Sequence, residues 1–229
     1  MKANKILIGV LCAALVGFGS CSSMNNTTKG GLIGAGGGAL LGGIIGKVAG
    51  NTAIGAAVGT AVGTGAGVLI GKKMDKAKQA VAQQVPEAQV EEVQDKNGLK
   101  SVKVTFDSGI LFATNKSDLS ASAKTSLTKF ASVLKNNTDM DVNIYGHTDN
   151  TGTDAINDPL SLKRAQSVQS FLALQGVGSN QIKTVEGKGS KEPVVSNDTK
   201  EGRAQNRRVE VFLYASEAMI EAAQKEAGE

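Results

Sequence analysis

The clearest indication of the fold lies in residues 142–152, VNIYGHTDNTG. Apolar residues at positions 142 and 144 alternate with polar or amphipathic neighbours, which is the period of a strand with one buried face. A polar loop, 146–152, follows directly, and its glycines favour a turn. Because functional side chains often lie on loops that a rigid element positions, Asp149 in this loop is a candidate binding residue.

The flanking segments complete an alternation of helices and strands. Apolar alternation predicts one strand through Phe106 and another through Val209, and residues 181–187 form a weaker strand. Helical spacing predicts one helix over 120–136 and a second that starts at Asp158-Pro159 and ends at Gly176. The order β-α-β-α-β-β predicts an α+β sandwich, with helices on one face of a small mixed sheet.

Three polar clusters fall at the ends of these elements. They are GHTDNTG at 146–152, LSLKRA at 160–165, and EGRAQNRRVE at 201–210. In this order the series closely resembles the OmpA-like C-terminal domain, a peptidoglycan-binding module of bacterial envelope proteins. The resemblance covers residues 99–214 and implies the βαβαββ sandwich of that family.

The resemblance also implies a ligand, the diaminopimelate of the peptidoglycan stem peptide. The positions that match the family's acidic and basic residues are Asp149 and Arg164. The free end of diaminopimelate has an ammonium and a carboxylate on one carbon. An aspartate accepts hydrogen bonds from the ammonium, and an arginine fork binds the carboxylate through two parallel bonds. Thr148 and Asn157 would add neutral hydrogen bonds.

Arg207 and Arg208 are further candidates for the same site. Alternation along the last strand places them on opposite faces, so we expect one of them to reach it. Arg207 has the phase of the apolar Val209, which favours Arg207. Simpler roles stay open for the central pair: Asp149 as the cap of a turn, and Arg164 as a surface arginine of a helix.

The composition argues against other classes of function. One histidine and two cysteines cannot supply a Cys/His zinc site, and no nucleophile motif accompanies His147, which we interpret as a packing residue. A formal net charge of +4 and 3% aromatic residues do not suit nucleic-acid binding. We therefore predict a binding protein, not an enzyme, without a cofactor or metal.

A glycine ladder fills residues 30–71. Glycine recurs every fourth residue over 30–50 and again over 55–71, and Lys47 is the one charged residue within 30–71. Such small-xxx-small stripes let helices approach closely in lipid, whereas in water each glycine weakens a helix. The segment resembles glycine zippers and predicts a hydrophobic transmembrane hairpin that would also allow a homo-oligomer. The alternative is a flexible Gly/Ala linker.

The N-terminus is typical of an exported lipoprotein. Residues 1–20 join two lysines to an apolar run, as in a signal peptide. The sequence GFGSC at 17–21 resembles a lipobox, which implies acylation of Cys21 by palmitate-type chains and a lipidated tether over 21–29. An ordinary secretory signal with an unmodified Cys21 is the alternative.

The remaining segments connect or end these parts. Residues 72–98 are predicted to be a linker, and 215–229 an acidic tail that is helical or disordered. Together the parts predict a non-covalent tether between the outer membrane and peptidoglycan, with the soluble domain in the periplasm. The alternative is a glycine-zipper oligomer that remodels the membrane, with the wall-binding domain only positioning it.

Overall fold

A computed structural model describes residues 64–95, 97–113 and 115–228 of the chain. Five strands form one sheet: β1 Gln89–Gln94, β2 Lys100–Asp107, β3 Met140–Gly146, β4 Ile182–Gly187 and β5 Arg208–Ala215. Their order is β1-β2-β5-β3-β4, and every neighbouring pair is antiparallel except β3 and β4. The predicted mixed α+β fold is confirmed.

Six helices accompany the sheet within the described residues. They are α1 Gly65–Gln84, α2 Ser108–Leu111, α3 Ala121–Lys135, α4 Asp154–Leu174, α5 Lys200–Asn206 and α6 Glu217–Ala227. The main core lies between one face of the sheet and α1, α3, α4 and α6. In it the ring of Phe106 on β2 meets that of Phe130 on α3 edge to face, with centroids 5.5 Å apart. The strand predicted at 181–187 and the helix predicted at 120–136 are confirmed.

The opposite face of the sheet has a small aromatic cluster. Phe212 of β5 and Tyr145 of β3 pack edge to face at 5.7 Å, and Tyr214 completes the group. The ammonium of Lys188 lies 4.8 Å above the Tyr145 ring. On this face the described core cluster contains no helix residues, and long polar side chains such as Lys188 help to cover it.

The predicted start of α4 at Asp158-Pro159 was wrong. The helix begins at Asp154, and Pro159 lies inside it. The amide of Asn157 already donates to the carbonyl of Thr153 at 2.9 Å, so the first turn is closed before the proline. A carboxylate in the first turn, Asp154, favours this earlier start through the helix dipole. The predicted end is confirmed, since Gly176 has a φ of +86°.

The predicted linker over 72–98 was wrong as well. Residues 65–84 form the helix α1, and residues 89–94 form the edge strand β1, paired antiparallel with β2. One stripe of α1 is buried in the core: Ala66, Ile70, Met74, Ala77 and Val81. These residues recur at helical spacing between lysines, and this amphipathic pattern explains why the segment packs. The folded unit therefore includes residues 65–84 and 89–94 and does not begin at 99.

The C-terminal segment also belongs to the folded unit. Ser216 caps the start of helix α6, and its hydroxyl accepts a hydrogen bond from the amide of Met219 at 3.2 Å. Met219 and Ile220 are buried, and α6 packs against α1. The predicted tail over 215–229 is thus helical from Glu217, and Ala215 is the last residue of β5.

Helix α1 gives the folded unit a direction. In its N-terminal half, Lys73 pairs with Asp139, directly before β3, at 2.6 Å. Beyond its end, Glu87 contacts Ser126 in the N-terminal half of α3. The chain thus enters the unit at the end of the sheet where β3 begins. The loop 147–152 lies at the other end, where β3 stops.

Much of the predicted N-terminal region lies outside the described residues. This holds for the signal peptide 1–20, for Cys21 with its tether 21–29, and for the hairpin up to residue 63. The last predicted hairpin residues, 65–71, form the first turns of α1. Within the described part of the chain, no helix has both the length and the apolar character to cross a membrane.

Candidate functional site

Asp149 lies in the loop that follows β3, where the sequence predicted it. It is 7% exposed. One carboxylate oxygen, Oδ1, accepts a hydrogen bond from the amide of Thr151 at 2.8 Å, and Oδ2 accepts one from Nη1 of Arg207 at 2.6 Å. The carboxylate is therefore held in one orientation by a backbone donor and a cation.

Arg164 lies on the third turn of α4 and is 3% exposed. Its Nε donates to the carbonyl of Lys116 at 3.1 Å, and its guanidinium lies 5.3 Å from the ring centroid of Phe112. Its Nη1 is buried without a hydrogen-bond partner. Among the described carboxylates, none forms an ion pair with it. A buried cation that forms no ion pair has an uncompensated desolvation cost, so this guanidinium would gain from binding an anion.

Thr148 and Asn157 flank the central pair. The Thr148 amide donates to the carbonyl of Gly189 at 2.9 Å, while its hydroxyl is buried without a partner. Asn157 donates through Nδ2 to the carbonyl of Thr151 at 3.1 Å. Thr148 thus offers an unused hydroxyl, whereas Asn157 braces the loop.

The close packing of β3 against α4 depends on Gly146. A Cβ at this position would lie 2.1 Å from the carbonyl oxygen of Ser161. Any larger residue would push α4 away from the strand, and Arg164 would move with the helix.

The electrostatics of the site couple its three charges. Burial alone would raise the pKa of Asp149, but hydrogen bonds from Arg207 and Thr151 outweigh it and hold this pKa below its usual range. Burial lowers the pKa of Arg164, the nearby charge of Arg207 lowers it further, and Asp149 opposes both. Arg164, Asp149 and Arg207 therefore form one charged group with two cations and one anion.

Of the two arginines predicted as alternatives, Arg207 reaches the site. Arg208 points to the other face of the sheet, as alternation requires. There its Nε donates to Oε1 of Glu210 at 2.8 Å, and its Nη2 donates to the carbonyl of Glu192 at 3.0 Å. The assignment of Arg208 to the site is therefore not supported by its position.

His147 is a packing residue, as the sequence indicated. It is 1% exposed, with Nε2 3.6 Å from Oε2 of Glu210. Burial lowers the pKa of His147. Burial by itself would raise the pKa of Glu210, but His147 and Arg208 outweigh that effect and lower it to about 2, from an ordinary value of 4.5.

The lowered pKa of the buried Glu210 predicts that the domain loses stability in acid. Because the pKa of Glu210 is lowered in the folded state, its contribution is complete above about pH 4.5 and is lost as the pH falls towards 2. We expect the free energy of unfolding to decrease by up to about 3 kcal/mol from this group over that range. Urea unfolding at several pH values measures it. Glu210→Gln should flatten the profile, and parallel profiles for both proteins would contradict the assignment.

Two features that support the site were not assigned a role from the sequence. Asn206 is fully buried, and its Oδ1 accepts hydrogen bonds from the amides of Val194 and Val195. These bonds fix the loop before α5. From that loop Asn197 accepts the amide of Asn150 at 3.4 Å. The signal was present, because Asn206 belongs to the NRRVE series, but its partners lie in a loop without a pattern of its own.

The site has no grouping that suits a metal. Across residues 64–95, 97–113 and 115–228, no three His, Cys, Asp or Glu side chains lie together so that they could hold an ion. The chemistry that the arrangement offers is charge-assisted hydrogen bonding to a ligand.

Comparison with known proteins agrees with this geometry. Residues 111–207 match the model of the OmpA family. This range contains Asp149, Arg164 and Arg207. The chain carries an OmpA-like domain. A second model, the YMGG-like Gly-zipper, matches residues 1–75 and therefore covers the predicted glycine ladder.

Curated relatives share the OmpA-like domain. The probable lipoprotein YiaD of Escherichia coli is 40% identical over 113 residues, which are 49% of this chain and 51% of that protein. The peptidoglycan-binding protein ArfA of Mycobacterium tuberculosis is 49% identical over 87 residues, 38% of this chain and 26% of that protein. The chain thus spans about half of the first relative and about a quarter of the second.

A solved structure shares the fold. It is the cell wall anchor of the T6SS from Pseudomonas aeruginosa, with a TM-score of 0.51 and 29% identity. The match covers 61% of this chain and 95% of that one. This share of the chain is larger than the OmpA family match, in keeping with a folded unit that extends beyond residues 111–207.

Proposed function

We propose that this protein is a non-covalent tether between the bacterial outer membrane and peptidoglycan, and that it is not an enzyme. The observation that carries the proposal is the buried guanidinium of Arg164, which forms no ion pair among the described residues and lies near Asp149 in the OmpA-like domain. Relatives named as a peptidoglycan-binding protein and as a cell wall anchor support it.

The ligand is the free end of diaminopimelate in the stem peptide. Its carboxylate supplies the anion that Arg164 lacks, and a guanidinium binds a carboxylate through two parallel hydrogen bonds. Its ammonium donates to Asp149, and the unused hydroxyl of Thr148 is available for a neutral hydrogen bond. Nη1 of Arg164 and the hydroxyl of Thr148, both buried without a partner in the structure, thereby gain one.

The direction of α1 fits a tether. The chain enters the folded unit at the end of the sheet opposite the loop of Asp149, so an anchor on the N-terminal side leaves the site facing away from it. The proposed anchor consists of acylated Cys21 together with the glycine zipper. A single site need not bind tightly, because many copies along one polymer raise the effective concentration.

The alternative, a glycine-zipper oligomer that remodels the membrane, concerns residues outside the described part of the chain. Nothing among the described residues favours it over the tether.

The proposal is tested by sedimentation with purified diaminopimelate-type peptidoglycan. The full-length protein in detergent is expected to sediment with the wall, and excess soluble tripeptide stem with diaminopimelate is expected to release it. The control is the same stem with one carboxylate converted to an amide, the one on the carbon that has the free ammonium of diaminopimelate. This stem should not release the protein, because it brings no anion to Arg164. Binding that neither stem releases would overturn the proposal.

A further inference from the structure

We propose that Arg207 determines the ligand specificity of this site. In the ligand-free domain it neutralises Asp149, and it thereby excludes ligands that offer an ammonium without a carboxylate. The inference rests on the proposed function, since it concerns which stem peptides the same site accepts.

The distribution of charge is the first step. The site has two guanidinium groups and one carboxylate, a net charge of +1. Arg207 donates to Asp149 at 2.6 Å, whereas Arg164 forms no ion pair among the described residues. Among the described residues of the site, Arg164 is the charged group without a partner, and Asp149 is already paired with Arg207. The site therefore favours a ligand that brings an anion.

The second step is the difference in burial between the three groups. The Asp149 side chain is 9% exposed and Arg164 is 3% exposed as a residue, but the Arg207 side chain is 37% exposed. The backbone of Arg207 is held by hydrogen bonds to Arg203 and Ser108, so any movement of this residue is a movement of its side chain. Arg207 is thus the one of the three that can turn towards solvent while Asp149 and Arg164 stay in place.

The third step compares two stem peptides. Diaminopimelate brings a carboxylate for Arg164, and this new anion offsets the positive charge that would otherwise oppose its ammonium. Lysine at the same stem position brings an ammonium alone. It would compete with Arg207 for Asp149 and would leave Arg164 unpaired, in a site whose net charge repels it. Specificity is a difference of affinities, and an unfavourable charge against the wrong ligand contributes to it.

The experiment is calorimetric titration of the full-length protein in detergent with two soluble tripeptide stems, one containing meso-diaminopimelate and one containing L-lysine. Wild type should prefer the diaminopimelate stem. Arg207→Gln removes the competing cation and frees Asp149, so we expect the affinity for the lysine stem to rise. The ratio of the two affinities should narrow by about tenfold or more, the change expected when one like-charge repulsion is removed.

Two further variants sharpen the result. Arg207→Lys keeps the charge and should keep the preference of the wild type. Lys163→Gln removes one positive charge from an exposed position next to Arg164 and should leave the ratio unchanged. Thermal unfolding of each variant shows that the comparison is made between folded proteins.

Two outcomes would overturn the inference. One is an unchanged ratio in Arg207→Gln. The other is a parallel loss of both affinities, which would make Arg207 a support or a direct ligand contact instead of a filter. Failure of the proposed function looks different, because wild type would then bind neither stem.

Discussion

Replacing Arg164 by alanine is expected to lower the affinity for diaminopimelate-type peptidoglycan by about a hundredfold or more. Removing one partner of a buried, hydrogen-bonded charge pair typically costs 2–5 kcal/mol of binding free energy, and about 1.4 kcal/mol corresponds to a factor of ten. In the complex the variant would leave the carboxylate of the ligand without its cation in a site that water hardly reaches. Sedimentation isotherms with purified wall measure the change.

The matched control is Lys163→Ala, on the same helix turn but exposed. It removes one positive charge and should bind as wild type does. Arg164→Lys should recover part of the affinity, since an ammonium supplies the charge but not the planar fork. Equal binding by Arg164→Ala and Lys163→Ala would show that Arg164 is not the anion site.

Replacing Ile70 by alanine is expected to destabilise the folded unit by about 2–5 kcal/mol, the usual cost of truncating a large buried aliphatic side chain. Ile70 is fully buried on α1, in the segment that the sequence had suggested was part hairpin and part linker. Chemical denaturation of the full-length protein, followed by circular dichroism, gives the difference in free energy of unfolding.

Val68→Ala is the control on the same helix, because Val68 is 57% exposed. Its effect should stay within about 0.5 kcal/mol, as for most surface substitutions. If both variants unfold as wild type does, α1 does not pack on the sheet and residues 65–84 are a spacer after all. If Ile70→Ala is unstable and Val68→Ala is not, fragments that begin near residue 99 will lack part of the core and the edge strand β1.

The strong local patterns were sufficient to predict most of the sheet. Alternation around Ile144 and Val209 was sufficient to predict β3 and β5 as strands, but not that both faces of β5 are buried. The ordered motifs led to Asp149 and Arg164, which the structure places close together at one end of the sheet. Alternation also separated Arg207 from Arg208 correctly, because the two faces of a strand are a geometric necessity.

What could not be predicted depends on tertiary context. The buried stripe of α1 is built largely from Ala, Met and Ile, and its start overlaps the glycine ladder, so no composition change marks where the folded unit begins. The early start of α4 is similar, because Pro159 is a stronger local signal than Asp154. The bond between Arg207 and Asp149 joins two loops that are far apart in sequence, and no spacing rule encodes such a partner.

The most direct test of the central claim is the side-chain Nε–H resonance of Arg164 in the full-length protein. This proton is protected by burial and by its hydrogen bond to Lys116, and its signal is assigned by its disappearance in Arg164→Lys. During titration with the diaminopimelate tripeptide stem, we expect this resonance to shift progressively and saturate, while the lysine stem leaves it in place. No shift at a saturating concentration of the diaminopimelate stem would contradict the assignment of this site.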